Sequence, residues 1–403
     1  MTTLALEPRT SLAPGAWLRL TSLAATAGTA LAVVSGLAGL GTAHRLLGAL
    51  AAPPLVALVS VAWGAHRRVF PAAATALVLF GAAAVIQGEP LHGTLATGAF
   101  LSTLVATLQT FRGESVARGA WRDYLTLTKP RIMSLLLLTG ACGMVVGARG
   151  LPPLRTDIAG MLGLALACGG ASALNHLLDR DIDRLMGKRT DRRPVAAGRL
   201  SPAQALEFGF ALSAFSFVLL AAAVNLLTAL LALAGNLFYV CVYTRLLKRS
   251  TDQNIVIGGA AGAVPPLVGY AAATGHLGLA ALWLFVIVFL WTPPHFWALA
   301  LLLKDHYAAA SVPMLPVARG ERTTLRQIVG YSFVLVACTV LPVAFGIFGL
   351  GYLAAAVLLG AAFIALGVRL AWQPTRPNAA LLFHASLLYL ALLFVAMAID
   401  AAV

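Results

Sequence analysis

Apolar residues come in runs of about 20, broken by short polar stretches, almost from one end of the chain to the other. A helix of that length crosses the core of a bilayer, and a helix is one of the few structures that satisfies its own backbone hydrogen bonds there. The pattern predicts an all-α polytopic membrane protein with thirteen spans. Four come first, near 17–40, 45–64, 70–87 and 92–111. A polar, basic connector over 112–131 follows, then nine spans near 132–148, 156–177, 203–223, 226–244, 254–273, 279–303, 327–348, 351–371 and 379–399. The expected domains are a four-helix transmembrane bundle over 1–111, the connector, and a nine-span domain over 132–403. Residues 1–16 lack the basic start, short apolar core and cleavage site of a signal peptide, and read as a tail.

Composition agrees with the pattern. Of 403 residues, 60% are hydrophobic and 10% charged, with a mean hydropathy of +0.89; soluble domains carry about 25% charged residues. A net charge of +14 could fit nucleic acid, but its placement excludes that partner, because the basic residues sit in short loops between spans. With the N-terminus inside, all 28 Lys and Arg residues except Arg45, Arg149 and Arg155 fall on the inner side. That bias predicts a cell-membrane protein with a cytoplasmic N-terminus and inner loops and an outer C-terminus, held partly by anionic lipid headgroups. Cys142, Cys168, Cys241 and Cys338 lie inside apolar runs without CxxC spacing, so they read as packing residues. The 38 glycines fit closely packed helices, for example at Gly258-x-x-x-Gly262.

Chemistry concentrates in Asn175-His176-Leu177-Leu178-Asp179-Arg180-Asp181-Ile182-Asp183. On a helix Asn175, Asp179 and Asp183 share one face, drifting about 40° per step, while Asp181 lies roughly 200° from Asp179. Two carboxylates and an amide on one face form a hard oxygen site suited to Mg²⁺ with room left for substrate oxygens. Lys188, Arg189, Arg192, Arg193 and Arg199 follow, a set that suits a polyanion such as a diphosphate. The bland alternative is a solvated loop whose acids and bases pair with one another. Ionisable groups at helical spacing on a membrane-helix end favour a functional site.

A second irregular stretch, Trp291-Thr292-Pro293-Pro294-His295-Phe296-Trp297, interrupts an apolar span. Its prolines remove helix hydrogen bonds. His295 is there either a ligand contact or a histidine bonded to a neighbouring helix. The inner loops also carry Lys248 and Arg249, and Lys304-Asp305-His306-Tyr307 followed by Val312-Pro313-Met314-Leu315-Pro316, so three loops offer charges to one cytoplasmic mouth.

The string Asn175-x-x-x-Asp179-x-Asp181-x-Asp183 with Arg189-Thr190 and Arg193-Pro194 resembles the first signature of the UbiA-type intramembrane prenyltransferases. Thr128-Lys129-Pro130-Arg131, Asn254 to Gly262 with Pro265-Pro266, Trp291 to Trp297 and Val312 to Val317 resemble one branch of them, the heme O synthases or protoheme IX farnesyltransferases. The likeness runs from about Trp121 to the C-terminus. It implies transfer of the farnesyl group of farnesyl diphosphate to a vinyl group of heme b, with addition of water, giving heme O and diphosphate. It also implies that Asn175, Asp179 and Asp183 hold Mg²⁺ and diphosphate, and that Lys188, Arg189, Arg193, Lys248 and Arg249 bind the leaving diphosphate. Lys304 and Asp305 would join them on the substrate side, and His295 would contact heme. The chain departs from the family at Lys304-Asp305-His306-Tyr307, where relatives carry an acid at the position of His306. The acid stands one residue earlier, about 100° away on a helix.

The core family does not require residues 1–111. His44-Arg45 opens the second span and His92 the fourth, both near the outer face. Two imidazoles facing each other in a four-helix bundle would make a bis-histidine heme site; the alternative is a pair of interfacial histidines at helix ends. The arrangement is similar to one half of heme A synthase, and Gly41 stands where the catalytic half of that family carries an acid. His66 falls on the inner side with Arg67 and Arg68. Heme A synthase or oxidase-assembly proteins are the partners this likeness implies. Two other readings stay open: a sibling prenyltransferase acting on a quinone precursor or chlorin, and a transporter, since broken helices and intramembrane charges also occur in transporters.

Overall fold

The computed structural model describes residues 14–37, 41–65, 69–85, 91–110, 121–187, 190 and 192–403. His66, Arg67, Arg68, Lys188, Arg189 and the first half of the connector lie outside the described residues. Among the described residues the chain is helical, without strands. It divides into two compact units between Ser115 and Val116.

In the first unit, helices Pro14–Leu37, Gly41–Ala65, Phe70–Val85 and Leu91–Thr110 each pack on the next, and the first closes on the fourth. Leu18, Leu55, Leu58 and a set of alanines fill the centre. The seam between first and fourth helices is polar: Thr26 bonds Thr107 at 2.8 Å and Thr29 bonds Thr103 at 3.0 Å through their hydroxyls. Leu18–Gly36 and His44–Trp63 are long and apolar enough to cross a membrane, whereas Phe70–Ala84 and Leu95–Thr107 are shorter apolar helices.

The second unit carries nine helices of spanning length and apolarity, so eleven such helices are found among the described residues. They are Pro130–Ala148, Leu154–Leu178, Pro202–Ala223, Leu226–Ser250, Asn254–Thr274, Leu279–Leu302, Gly320–Ala344, Leu350–Trp372 and Arg376–Ala402. Local signals set their ends. Pro130 and Pro202 open their helices at the first turn, where the missing N–H is not needed. Ser201 and Gln204 close a capping box in front of the latter. Gly320–Ala344 starts seven residues ahead of the apolar run that predicts it, because its first turns are polar and include Glu321 and Arg322.

Two expectations need correction. Trp291–Trp297 does not break its span: Leu279–Leu302 runs through Pro293 and Pro294 as one helix. A proline pair withholds two N–H groups but leaves the ladder on either side intact. The Asn254–Thr274 helix makes a tight glycine contact, but not at Gly262, where an added Cβ meets nothing within 4 Å. It lies between the Pro130–Ala148 and Asn254–Thr274 helices, where a Cβ on Gly269 would stand 1.9 Å from the Gly140 carbonyl oxygen. Gly258 does pack closely, against the Tyr243 ring.

Candidate active site

The Leu154–Leu178 helix ends at Asp179, whose backbone (φ −89°, ψ 3°) bends the chain into the short helix Arg180–Leu185. The hydrogen-bond ladder continues through the bend, from Asp179 N to Asn175 O at 2.9 Å and from Asp183 N to Asp179 O at 2.8 Å. Asn175, Asp179 and Asp183 therefore keep the one-sided alignment their spacing predicts. They are 3%, 1% and 1% exposed.

Charges and amides from four segments converge on them. Lys248 Nζ donates to Asp179 Oδ2 at 2.5 Å, and Arg193 Nη1 donates to Asp183 Oδ1 at 2.7 Å. Asn175 Nδ2 donates to Asp179 Oδ2 at 2.9 Å and to Thr244 Oγ1 at 3.1 Å. Lys129 Nζ donates to Asn175 Oδ1 at 2.7 Å. Each aspartate keeps one buried oxygen, Asp179 Oδ1 and Asp183 Oδ2, without a hydrogen-bond partner among the described residues. Such oxygens are costly to bury unless something meets them. No group of three or more His, Cys, Asp or Glu ligands exists among the described residues. Two spare carboxylate oxygens fit Mg²⁺, which binds through one or two carboxylates and fills its shell with water and substrate phosphate. The amide of Asn175 is engaged on both atoms and brackets Asp179, while its oxygen, which accepts only from Lys129, keeps a second lone pair.

The helix facing this cluster has an unusual turn. Within Leu226–Ser250, residues Phe238–Leu247 form a π-helix. Thr244 Oγ1 bonds Tyr239 O at 2.9 Å, and the Lys248 N–H reaches back five residues to Tyr243 O. Thr244 and Lys248 stand four residues apart, so one face of the helix delivers both to the aspartates. π-segments of this kind concentrate at functional sites.

Lys129 is a residue of this cluster that its type alone does not mark. It sits at the mouth of the Pro130–Ala148 helix in left-handed backbone (φ 50°, ψ 61°), a conformation that costs of order 1–3 kcal/mol for a non-glycine residue and clusters at functional sites. Its sequence signal is the Thr128-Lys129-Pro130-Arg131 string. Burial pushes its ammonium down to about 7, with Arg193 and Lys248 adding to the effect and Asp179 and Asp183 opposing it. Burial likewise raises the Asp183 carboxyl above its ordinary value, against the pull of Arg193.

Other candidates are placed elsewhere. Arg249 forms a fork on the exposed Asp181, 2.7 Å to each oxygen, and also donates to Leu178 O. Its hydrogen bond holds the Asp181 carboxyl well below the usual carboxylate range. Arg249 is thus committed to the outer side of the short helix, and Asp181 looks away from Asp179 as its spacing predicts. Arg199 binds Asp123 at 2.8 Å. Lys304 pairs with Glu321 at 2.8 Å, and with Asp305 it lines a separate hollow beside Leu370 and Arg376. The residue that this turn turns toward the aspartate helix is Tyr307, packed in a cluster with Ile182, Met186 and Tyr243. Asp305 is about 200° around the helix from it, so neither Lys304 nor Asp305 joins the aspartates.

His295 lies between the rings of Trp291 and Phe383, with centroids at 4.2 and 4.9 Å, and its Nδ1 bonds Ser386 Oγ at 2.6 Å. The serine hydroxyl donates to Phe383 O, so it accepts from His295 Nδ1–H. The bond to a neighbouring helix is therefore real, and it fixes Nε2 as the lone-pair nitrogen. In the first unit, His44 Nε2 and His92 Nε2 face each other at 3.3 Å with the rings at 84°. Their Nδ1 atoms lie 2.9 Å from Ala32 O and 2.8 Å from Ala83 O. A carbonyl only accepts, so each ring donates from Nδ1, and the two Nε2 atoms stand within hydrogen-bond distance of each other.

Comparison with known proteins adds to this geometry. The profile of the UbiA prenyltransferase family matches residues 136–397. The chain is 56% identical over 281 residues to the protoheme IX farnesyltransferase of Symbiobacterium thermophilum, covering 69% of this chain and 94% of that protein. It is 51% identical over 295 residues to the protein of the same name from Thermus thermophilus, covering 72% of this chain but 48% of that longer protein. Among solved structures, digeranylgeranylglyceryl phosphate synthase aligns over 70% of this chain and 98% of its own, at a TM-score of 0.59 and 19% identity. A UbiA homolog from Archaeoglobus fulgidus bound to GPP and Mg²⁺ aligns over 68% and 99%, at 0.52 and 20%.

Proposed function

The chain belongs to the UbiA prenyltransferase family, and from that premise we propose that it transfers the farnesyl group of farnesyl diphosphate to a vinyl group of heme b, with addition of water, giving heme O and diphosphate. The observation that carries the reading is the pair of spare aspartate oxygens, Asp179 Oδ1 and Asp183 Oδ2, set beside Lys248 and Arg193. The relatives named protoheme IX farnesyltransferase supply the substrates.

Asp179 and Asp183, with Asn175 beside them, would hold Mg²⁺, which when bound neutralises diphosphate charge and assists ionisation of the allylic C–O bond. Lys248 and Arg193 stabilise the negative charge that grows on the leaving diphosphate, in a site where burial strengthens their effect. Asn175, gripped by Lys129 and Thr244, fixes the rotamer of Asp179. Lys188 and Arg189 join the diphosphate side in this reading. The apolar helix walls keep bulk water from the allylic cation. His295, with Nε2 as its lone-pair nitrogen, is the candidate heme contact. The test is an assay on purified full-length protein with heme b, farnesyl diphosphate and Mg²⁺. A product heavier by farnesyl plus water, prevented by EDTA, is expected; prenylation of an aromatic quinone precursor or chlorin instead would move the chain to the sibling activity, and neither product would revive the transporter reading.

The multi-pass chain would stand in the cell membrane with its N-terminus and aspartate site cytoplasmic and its C-terminus outside. The His44–His92 pair is the candidate heme-iron site, since both Nε2 atoms face one point and both rings are anchored through Nδ1; the rings would separate from 3.3 Å to admit the iron. A bound heme in the first unit would show as a reduced-heme absorbance in the full-length protein that the double variant His44→Ala with His92→Ala lacks. The partners that reading favours are heme A synthase or oxidase-assembly proteins.

A further inference from the structure

His176 is a buried group in the last turn of the Leu154–Leu178 helix that the mechanism above leaves unused. It is 2% exposed, and neither ring nitrogen has a hydrogen-bond partner among the described residues. One turn deeper Ser172 is 7% exposed, and its hydroxyl is likewise without a partner there. Both stand on the face of the site. With Ser172 at 0°, His176 falls at about 40°, Asp179 at about −20° and Asp183 at about 20°. By helical spacing, the residues with orphaned polar atoms, Asp183, Asp179, His176 and Ser172, thus follow one another along this side of the chain.

Buried polar atoms in native structures are met by ordered water or by a ligand. The choice among ligands follows from chemistry. Mg²⁺ prefers oxygen donors, so it accounts for the carboxylates and not for the imidazole. Diphosphate oxygens only accept, and the Lys and Arg cluster meets them. A neutral imidazole and a hydroxyl each offer a donor and an acceptor, the complement of a water molecule. At a rise of 1.5 Å per residue, His176 lies about 4.5 Å and Ser172 about 10 Å deeper than Asp179. That is the direction in which the farnesyl chain leaves its diphosphate for the apolar interior.

Resting on the farnesyl-to-heme reading, we propose that Ser172 and His176 hold the water molecule that ends the reaction. The allylic C–O bond breaks with its electron pair going to diphosphate. The vinyl π pair forms the new C–C bond and leaves a cation on the carbon next to the porphyrin ring. A lone pair of the held water forms the C–O bond to that carbon, and one proton of the water passes to a diphosphate oxygen. His176 and Ser172 act as positioning residues. Without the held water the same cation loses a proton to diphosphate, and the farnesylated product is an alkene lighter by one water.

The experiment is the full-length assay with heme b, farnesyl diphosphate and Mg²⁺, read as the mass ratio of hydrated to unhydrated farnesylated heme. That ratio does not depend on how much enzyme is folded. His176→Phe and Ser172→Ala each lower the hydrated-to-unhydrated ratio at least about fivefold, the effect of one lost hydrogen bond. His176→Gln, which keeps a donor and an acceptor, restores most of it. Wild-type ratios in Ser172→Ala and His176→Phe overturn the proposal, as does His176→Gln shifting as far as His176→Phe. An inactive His176→Phe beside a wild-type ratio in Ser172→Ala counts against it equally. A wild-type protein that farnesylates no heme removes the underlying reading instead, an outcome distinct from an unchanged ratio.

Discussion

Lys248 and Arg249 are neighbours in sequence with the same charge, yet the structure gives them opposite consequences. Lys248 Nζ is 2.5 Å from Asp179 Oδ2, with side chains 11% and 1% exposed. At an effective dielectric of about 20, opposite charges that close attract by roughly 6–7 kcal/mol before desolvation is subtracted. Lys248→Met removes that cation from beside the leaving diphosphate. By analogy with loss of one preorganised donor at a developing anion, kcat should fall about 10²–10³-fold, or roughly 3–4 kcal/mol. Arg249→Met breaks a pair whose side chains are 38% and 57% exposed; solvent-screened pairs contribute about 0–1 kcal/mol, so its kcat should stay within a few-fold of wild type. Both variants would be assayed for diphosphate release at saturating Mg²⁺, with a thermal melt to confirm folding. Equal losses in the two, or a Lys248→Met enzyme within a few-fold of wild type, would refute the assignment of Lys248 to the diphosphate.

Asp179→Ala and Asp183→Ala should each abolish prenyl transfer while the purified protein still migrates as a folded monodisperse peak, and wild-type turnover in either removes the metal assignment. Lys129→Met frees the Asn175 carbonyl and loosens Asp179; a roughly tenfold drop in kcat is expected, the order of one charged hydrogen bond, measured by product formation. Gly269→Val should fail to give folded protein, because its Cβ would overlap the Gly140 carbonyl, whereas Gly262→Ala, with open space around it, should melt within a few degrees of wild type.

The fold was legible in the sequence because a bilayer enforces one rule on every residue. Length and apolarity decide a membrane helix locally, so the nine helices of the second unit stand where the apolar runs stand. The aspartate face was legible for a similar reason: Asn175, Asp179 and Asp183 share one run of i to i−4 hydrogen bonds that continues through the bend at Asp179, and helical spacing alone aligns them. What the tertiary structure decided was the choice among long-range partners. Lys129 and Asn175 are separated by 46 residues, Lys248 and Asp179 by 69. Charge says which of these can attract, but only the packing of the Pro130–Ala148, Leu154–Leu178 and Leu226–Ser250 helices, with a π-turn in the last, says which meet. The same packing sent Arg249 to Asp181 and Lys304 to Glu321, and it left two carboxylate oxygens, an imidazole and a hydroxyl without partners among the described residues. Charge and spacing are properties of the chain; which atoms are left for a ligand is a property of the assembled bundle.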